Sequence, residues 1–226
     1  MKIIELDETH STNEYCKRVD NGEDLIVIAK RQSAGRGTKG RSFVSDDGGL
    51  YISIMKHYED FPAKDAFKIM VNSCVAVCRI LDRMRIKPQI RWANDVLVGG
   101  KKICGTLIEN TFRGEYVTRS IVGIGINVNN KLPIELQDIA TTLKRETDEI
   151  IPVEKVKELL FEELEKEFNI EDYKKYTDWL GSEVILKTAE SERKVKALDI
   201  SADGRLMVEY CGKTENISAA EVSLRL

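Results

Sequence analysis

Five cations stand between Lys30 and Arg41 (Lys30, Arg31, Arg36, Lys39 and Arg41) with no acid among them, in a chain of 226 residues whose net charge is -3. Three glycines are interleaved, giving GRGTKGR at 35–41. Glycine lets a ligand come close to backbone N–H groups, and guanidinium offers paired donors to phosphate or carboxylate. The stretch therefore reads as an anion-binding loop; the alternative is a solvated basic loop. Gly35, Gly37 and Gly40 also match the G-x-G-x-x-G dinucleotide fingerprint, which must close a strand and open a helix. Residues 24–30, DLIVIAK, do read as a strand. Beyond Gly40, however, the chain turns at DDGG (46–49) and enters a β-rich run, LYISI, with no helical period. The spacing from Gly40 to Asp60 suits a ribose-binding acid, but without the helix it carries no such meaning.

Two more segments place chemistry. In RWANDVLVGGKKICG, residues 91–105, Trp92, Asn94 and Asp95 fall at a strand end and Lys101 and Lys102 come just after a Gly99-Gly100 hairpin turn, so a carboxylate, an amide and an ammonium can converge. The plainer alternatives are an Asn-Asp turn and a solvated lysine rim. In SIVGIGINVN, residues 120–129, a period of two puts Val122, Ile124, Ile126 and Val128 on a core face and Gly123, Gly125 and Asn127 on the other. Mid-strand glycines weaken a sheet unless something must approach the backbone. The second face reads as a ligand floor with Asn127 as its polar handle, or as a close-packed helix crossing. Neither His10 nor His57 sits beside a nucleophile, and no serine is framed as G-x-S-x-G. Phosphate chemistry by positioning and charge neutralisation fits better than triad hydrolysis.

Positioning these groups requires a mixed set of elements. A strand over 2–6 leads to Ser11 and Glu14, which spell a capping box for a short helix towards Val19. Strands are predicted over 24–30 and 50–56, and a buried helix, apolar nearly all round, over 65–85. β text resumes after Pro88 and runs through 129. Pro152 opens a one-sided helix marked by Val153, Val156, Leu159, Leu160, Leu164 and Phe168. From Trp179 onward only short strands are predicted, with turns at Asp203-Gly204 and Cys211-Gly212. This divides the chain into a domain over 1–178 and a small β domain over 179–226.

An apolar content of 42% supplies a real core. The N-terminal residues hold acids by position 5 and no long apolar stretch, so neither a signal peptide nor a membrane span is expected, and the location is cytoplasmic by default. Five scattered cysteines without a C-x-x-C pair, and two histidines, make a structural zinc site a poor expectation.

Five blocks in this order, STN at 11–13, QSAGRGTKGR at 32–41, RWANDV at 91–96, KKICG at 101–105 and GIGINVN at 123–129, resemble the biotin protein ligases, the biotin-[acetyl-CoA-carboxylase] ligases. The likeness covers essentially the whole chain. It implies an α+β fold: a catalytic domain like that of class II aminoacyl-tRNA synthetases, with a mixed or antiparallel sheet and flanking helices, then a small SH3-like β-barrel. The implied activity joins biotin to ATP as biotinyl-5'-AMP, with Mg2+ on the phosphates, then passes biotin to a lysine of a biotin carrier domain of acetyl-CoA or pyruvate carboxylase.

By position, the resemblance implies that Ser11, Thr12, Asn13 and Gln32 hold the biotin head group and that Arg36, Gly37 and Thr38 line the biotinyl and phosphate path. Lys102 would contact the carboxylate and the transferring phosphate, Asp95 would position the reacting groups or the metal, and Arg41, Phe43, Asn94 and Asn127 would face the nucleotide. Lys102, Asp95 and Arg36 are the implied catalytic set. Departures from the family pattern are Thr38 and Arg91 in place of Arg and Lys, Phe43 in place of Trp and Ala93 in place of Pro. Losing a cation at Thr38 predicts faster leakage of biotinyl-AMP unless Lys39 compensates. Regulatory members carry a helix-turn-helix ahead of the first strand, which here begins at residue 2, so no operator DNA binding is expected, while a homodimer through a sheet edge stays open. A lipoate or octanoate ligase and a non-catalytic anion-binding module are the competing readings.

Overall fold

The computed structural model describes residues 1–188, 191–219 and 223–225. Seven strands, β1 (Lys2–Thr9), β2 (Leu25–Gln32), β3 (Leu50–Pro62), β4 (Pro88–Arg91), β5 (Asp95–Val98), β6 (Lys101–Arg113) and β7 (Tyr116–Ile126), form one sheet in the order β1-β2-β3-β7-β6-β5-β4. Only β1 and β2 run parallel, because the helix α1 (Thr12–Val19) carries the chain back between them. β3 is longer than its pattern suggests: Glu59, Asp60 and Pro62 break the alternation, but a bulge between His57 and Phe61 absorbs them and pairing with β7 resumes.

Side-chain alternation sends the two faces to different partners. Ile26, Ile52, Val122, Ile124 and Ile126 point at α2 (Phe67–Arg83), whose Val71, Cys74, Val75, Cys78, Ile80 and Leu81 are buried against them. The opposite face buries Leu25, Val27, Met55 and Ile121 against Cys16 of α1. The positions between these, Ser53, Gly123 and Gly125, share the α1 side, and there the site is built. Two short helices, α3 (Leu143–Thr147) and α5 (Ile170–Lys174), flank α4 (Val153–Leu164), which begins after Pro152 as its sequence predicts but ends before Phe168.

The remaining strands, β8 (Glu183–Lys187), β9 (Glu192–Ile200), β10 (Leu206–Tyr210), β11 (Lys213–Ile217) and β12 (Ser223–Arg225), make an antiparallel sheet ordered β11-β10-β9-β8-β12. Among the described residues no ladder joins β11 to β12, so this is an open form of an SH3-like barrel. Two indoles pin it to the larger sheet: Trp179 Nε1 donates to the Ile90 carbonyl at 2.7 Å and Trp92 Nε1 to the Gly204 carbonyl at 2.9 Å. The whole is the α+β arrangement of a synthetase-like catalytic domain with a small β appendage.

Candidate active site

A cavity opens on the α1 side of the sheet, between the start of α1, β3, β6, β7 and the loop after β2. Of the residues singled out in the sequence, Ser11, Thr12, Asn13, Gln32, Arg36, Gly37, Phe43, Asn94 and Lys102 line it. A roomier hollow of about 720 Å3 lies on the opposite face, lined by Ile54, Phe161 and Phe168 together with Lys68, Asn72 and Glu165.

Three glycines give the cavity its depth. A methyl group on Gly123 would lie 2.4 Å from Asn13 Oδ1, one on Gly125 2.7 Å from the Phe43 ring, and one on Gly105 2.7 Å from Lys102 Cε and Nζ. None of these glycines has a positive φ, so each is required by close approach and not by backbone conformation. The glycine face of β7 thus takes the close approach of the start of α1, through Asn13, and of the Phe43 ring, which lines the cavity.

Polar groups at the α1 end form a row. The Thr12 backbone N–H donates to Gln32 Oε1 at 2.8 Å, and Gln32 Nε2 donates to Ser45 Oγ at 2.8 Å. Buried Ser53 places its Oγ 2.7 Å from Thr12 Oγ1 and 2.5 Å from Asn13 Oδ1. Asn13 Nδ2 donates to Glu109 Oε2 at 2.9 Å, and Glu109 Oε1 also receives Lys17 Nζ at 2.8 Å. Ser45, Ser53 and Glu109 carry no signal in the sequence beyond being polar residues within or beside strands. Ser11 is the N-cap of α1, yet its side chain makes no capping bond; Glu14 is drawn to Lys17 at 2.9 Å and to Arg36, so the capping box does not form.

At the other end Lys102 Nζ rests 2.6 Å from Asp95 Oδ1, while Arg91 Nη2 holds Asp95 Oδ2 at 2.7 Å. Asn94 Nδ2 reaches Asp95 Oδ1 at 3.3 Å and the Thr106 carbonyl at 2.9 Å. Burial pushes the Asp95 carboxyl up, but the charges of Lys102 and then Arg91 outweigh it and hold it below the ordinary aspartate value. The ammonium of Lys102 also lies 5.4 Å from the centre of the Phe43 ring, which meets Tyr51 edge-on at 6.3 Å. With both Asp95 oxygens engaged by cations, this carboxylate is a poor direct metal ligand, and among the described residues no group of three or more His, Cys, Asp or Glu side chains could hold one. Shared between Arg91 and Lys102, Asp95 leaves one positive charge over, and the ammonium of Lys102, which lines the cavity, is placed to meet an anionic ligand.

The basic loop is tied down at several points. Lys30, Arg31 and Arg36 pair with Asp7, Glu8 and Glu14 of β1 and α1. The Gly37 N–H donates to the Arg41 carbonyl at 2.7 Å and the Phe43 N–H to the Gly35 carbonyl at 2.8 Å, closing a narrow hairpin whose tip places Lys39 and Gly40 at positive φ. Burial, with Arg41 nearby, lowers the Lys39 pKa. Thr38 and Arg41 sit in this tip, outside the cavity lining, with Arg41 Nε on the Thr38 carbonyl at 3.3 Å. Asn127 is buried and outside the lining as well, its Oδ1 accepting from Asn130 Nδ2 at 3.1 Å.

Known proteins share this outline. Residues 5–127 match the biotin/lipoate A/B protein ligase family and residues 179–225 match the biotin protein ligase C terminal domain. The bifunctional ligase/repressor BirA of Bacillus subtilis is 30% identical over 240 residues, covering 98% of this chain and 74% of that protein. The biotin-[acetyl-CoA-carboxylase] ligase of Mycobacterium tuberculosis is 27% identical over 234 residues, covering 95% and 86%. Among solved structures, the biotin protein ligase of Aquifex aeolicus in complex with biotin and ATP superposes with a TM-score of 0.80 at 28% identity, covering 99% of this chain and 98% of that one. Fold, cavity and sequence agree that the chain belongs to the biotin/lipoate A/B protein ligase family.

Proposed function

We propose that the protein is an ATP-dependent, AMP-forming biotin-[acetyl-CoA-carboxylase] ligase. The observation that carries this reading is the pairing, in one cavity, of the Thr12–Asn13–Gln32 polar row with an ammonium, Lys102, fixed over Gly105 by ionised Asp95. A urea-like head group suits the first; a carboxylate approaching a phosphate suits the second.

In the first step a biotin carboxylate oxygen attacks the α-phosphorus of ATP and the bond to pyrophosphate breaks, giving biotinyl-5'-AMP. Lys102 neutralises the two anions as they meet, and Asp95 and Arg91 keep its ammonium oriented. In the second step the amine of a carrier lysine attacks the acyl carbon, the acyl–phosphate bond breaks, AMP leaves, and the amine gives up its proton to solvent. No covalent enzyme intermediate is called for, in keeping with a cavity that lacks a paired nucleophile and base. Mg2+, when bound, would supply further charge neutralisation; among the described residues no group of three or more His, Cys, Asp or Glu side chains offers it a cage.

Ser11, Thr12, Asn13 and Gln32 are assigned to the biotin head group, Arg36 and Gly37 to the biotinyl and phosphate path, and Phe43 and Asn94 to the nucleotide. Thr38, Arg41 and Asn127, which stand outside the cavity, join these roles only if the hairpin tip closes over the adenylate and the 127–130 turn meets the base. The acceptor is a biotin carrier domain of a carboxylase. The division at residues 178 and 179 rests on the C-terminal family match and on the run of strands beyond it. A cytoplasmic setting accords with five cysteines that all remain free, and no described helix is long and apolar enough to cross a membrane. Biotin-dependent exchange of pyrophosphate into ATP, absent with lipoate and abolished in Lys102→Ala, is the expected behaviour; exchange driven by lipoate alone would move the protein to the other branch of its family.

A further inference from the structure

We infer that Glu109, which does not line the cavity, is a positioning residue that sets the hydrogen-bonding polarity of the biotin head-group row and so makes the site demand a donor N–H from its ligand. The inference rests on the biotin reading above and adds a residue to it.

An ionised carboxylate only accepts hydrogen bonds. Glu109 Oε2 therefore forces Asn13 to present Nδ2 to it, at 2.9 Å, and to turn Oδ1 inward towards Ser53. At the far end the Thr12 backbone N–H, at 2.8 Å, forces Gln32 to turn Oε1 inward, and Gln32 Nε2 is taken by Ser45 Oγ, which itself faces the Phe43 carbonyl at 3.0 Å. Between the two inward oxygens stand only the hydroxyls of Ser53 and Thr12. The row thus has three close oxygen–oxygen contacts, Asn13 to Ser53 at 2.5 Å, Ser53 to Thr12 at 2.7 Å and Thr12 to Gln32 at 3.0 Å, and two hydroxyl protons to fill them. One contact is always without a proton. Two acceptors left facing each other in a buried site are costly, and a ligand N–H directed at the row relieves the shortage.

If Asn13 turned its amide over, Nδ2 would donate to Ser53, Ser53 to Thr12 and Thr12 to Gln32. Every contact would be filled and the site would need no donor. Glu109 forbids that state, since Asn13 Oδ1 would then face a carboxylate. Lys17 Nζ, 2.8 Å from Glu109 Oε1 and 2.9 Å from Glu14 Oε1, helps keep the carboxylate in place, and Gly123 leaves room for Asn13 against the sheet. A glutamine at 109 would keep the size of the side chain but could donate to Asn13 Oδ1, which admits the self-satisfied state.

The test is calorimetric binding of biotin and of its cyclic carbamate analogue, in which a ring oxygen replaces one ureido N–H, to the full chain and to Glu109→Gln. The ratio of the two dissociation constants is the readout, because a merely structural loss weakens both ligands alike. The expected result is that Glu109→Gln shrinks that ratio by about tenfold, roughly the worth of one hydrogen bond, mainly by weakening biotin. Lys17→Gln, which leaves the carboxylate on Asn13, keeps the wild-type ratio. An unchanged ratio in Glu109→Gln overturns the inference while biotin binding by the unaltered chain stands; failure of the unaltered chain to bind biotin overturns the functional reading itself.

Discussion

Gly125→Ala adds one methyl group to the floor of the cavity. Gly125 does not occupy the left-handed region, so alanine meets no backbone penalty, and the methyl is directed at Phe43 Cε1, Cζ and Cδ1, at 2.7, 2.9 and 3.2 Å. The ring has to leave. It then gives up its edge contact with Tyr51, worth about 0.5–1.5 kcal/mol, and its contact with the Lys102 ammonium, worth about 0.5–1 kcal/mol. A loss of about 1–2.5 kcal/mol in folding stability is expected from these two contacts, and ATP binding is expected to weaken as well, since the ring that would face the nucleotide is displaced. The assay is a double-mutant cycle of Gly125→Ala with Phe43→Ala, read by ATP affinity and by chemical unfolding. Once the ring is gone the methyl has nothing to strike, so the two effects should overlap strongly. Additivity within about 0.5 kcal/mol would refute this reasoning, since it would mean that methyl and ring do not meet.

Asp95 sets an acid limit. Its folded pKa lies below the ordinary 3.8, so the stability it contributes is fully present above about pH 5 and is lost as pH falls through the folded value. Asp95→Asn leaves Arg91 and Lys102 facing an uncharged amide; a cost of about 3 kcal/mol at pH 7 that narrows as pH is lowered towards 3 is expected from urea unfolding across that range. Thr38→Arg adds a cation to the hairpin tip and should slow release of biotinyl-AMP, measured by rapid gel filtration of the labelled adenylate; unchanged release would show that the tip does not reach it. Burial pushes the thiols of Cys16 and Cys104 up to about 12 and raises those of Cys74 and Cys78, whereas Cys211 is exposed. Iodoacetamide at pH 8 should therefore label one cysteine of the folded chain and five after denaturation, counted by intact mass.

Much of the site is legible in the sequence because its parts are local. The GIGI alternation, the Gly-Gly hairpin before Lys101 and Lys102, and the Asn94-Asp95 pair each sit within one strand or turn, where a period of two fixes which side a residue faces. Residues joined only by the fold are not legible. Glu109 reaches Asn13 across 96 positions of chain, and nothing in TLIEN at 106–110 distinguishes it from a solvated acid. The basic loop reads as acid-free because its partners come from elsewhere: the parallel register sets Glu8 opposite Arg31, and α1 brings Glu14 to Arg36. Similarly, Ser11 and Glu14 have the spacing of a capping box, yet two cations compete for the glutamate and win.

If this cavity makes biotinyl-AMP and hands the biotin to a carrier lysine, the most direct test is the intact mass of a carboxylase biotin carrier domain after incubation with the protein, ATP and biotin. The expected result is a gain of one biotin on a single lysine, no gain with lipoate in its place, and no gain with Lys102→Ala. A carrier that gains mass from lipoate and not from biotin, or that stays unmodified while ATP is turned over to AMP, would contradict it.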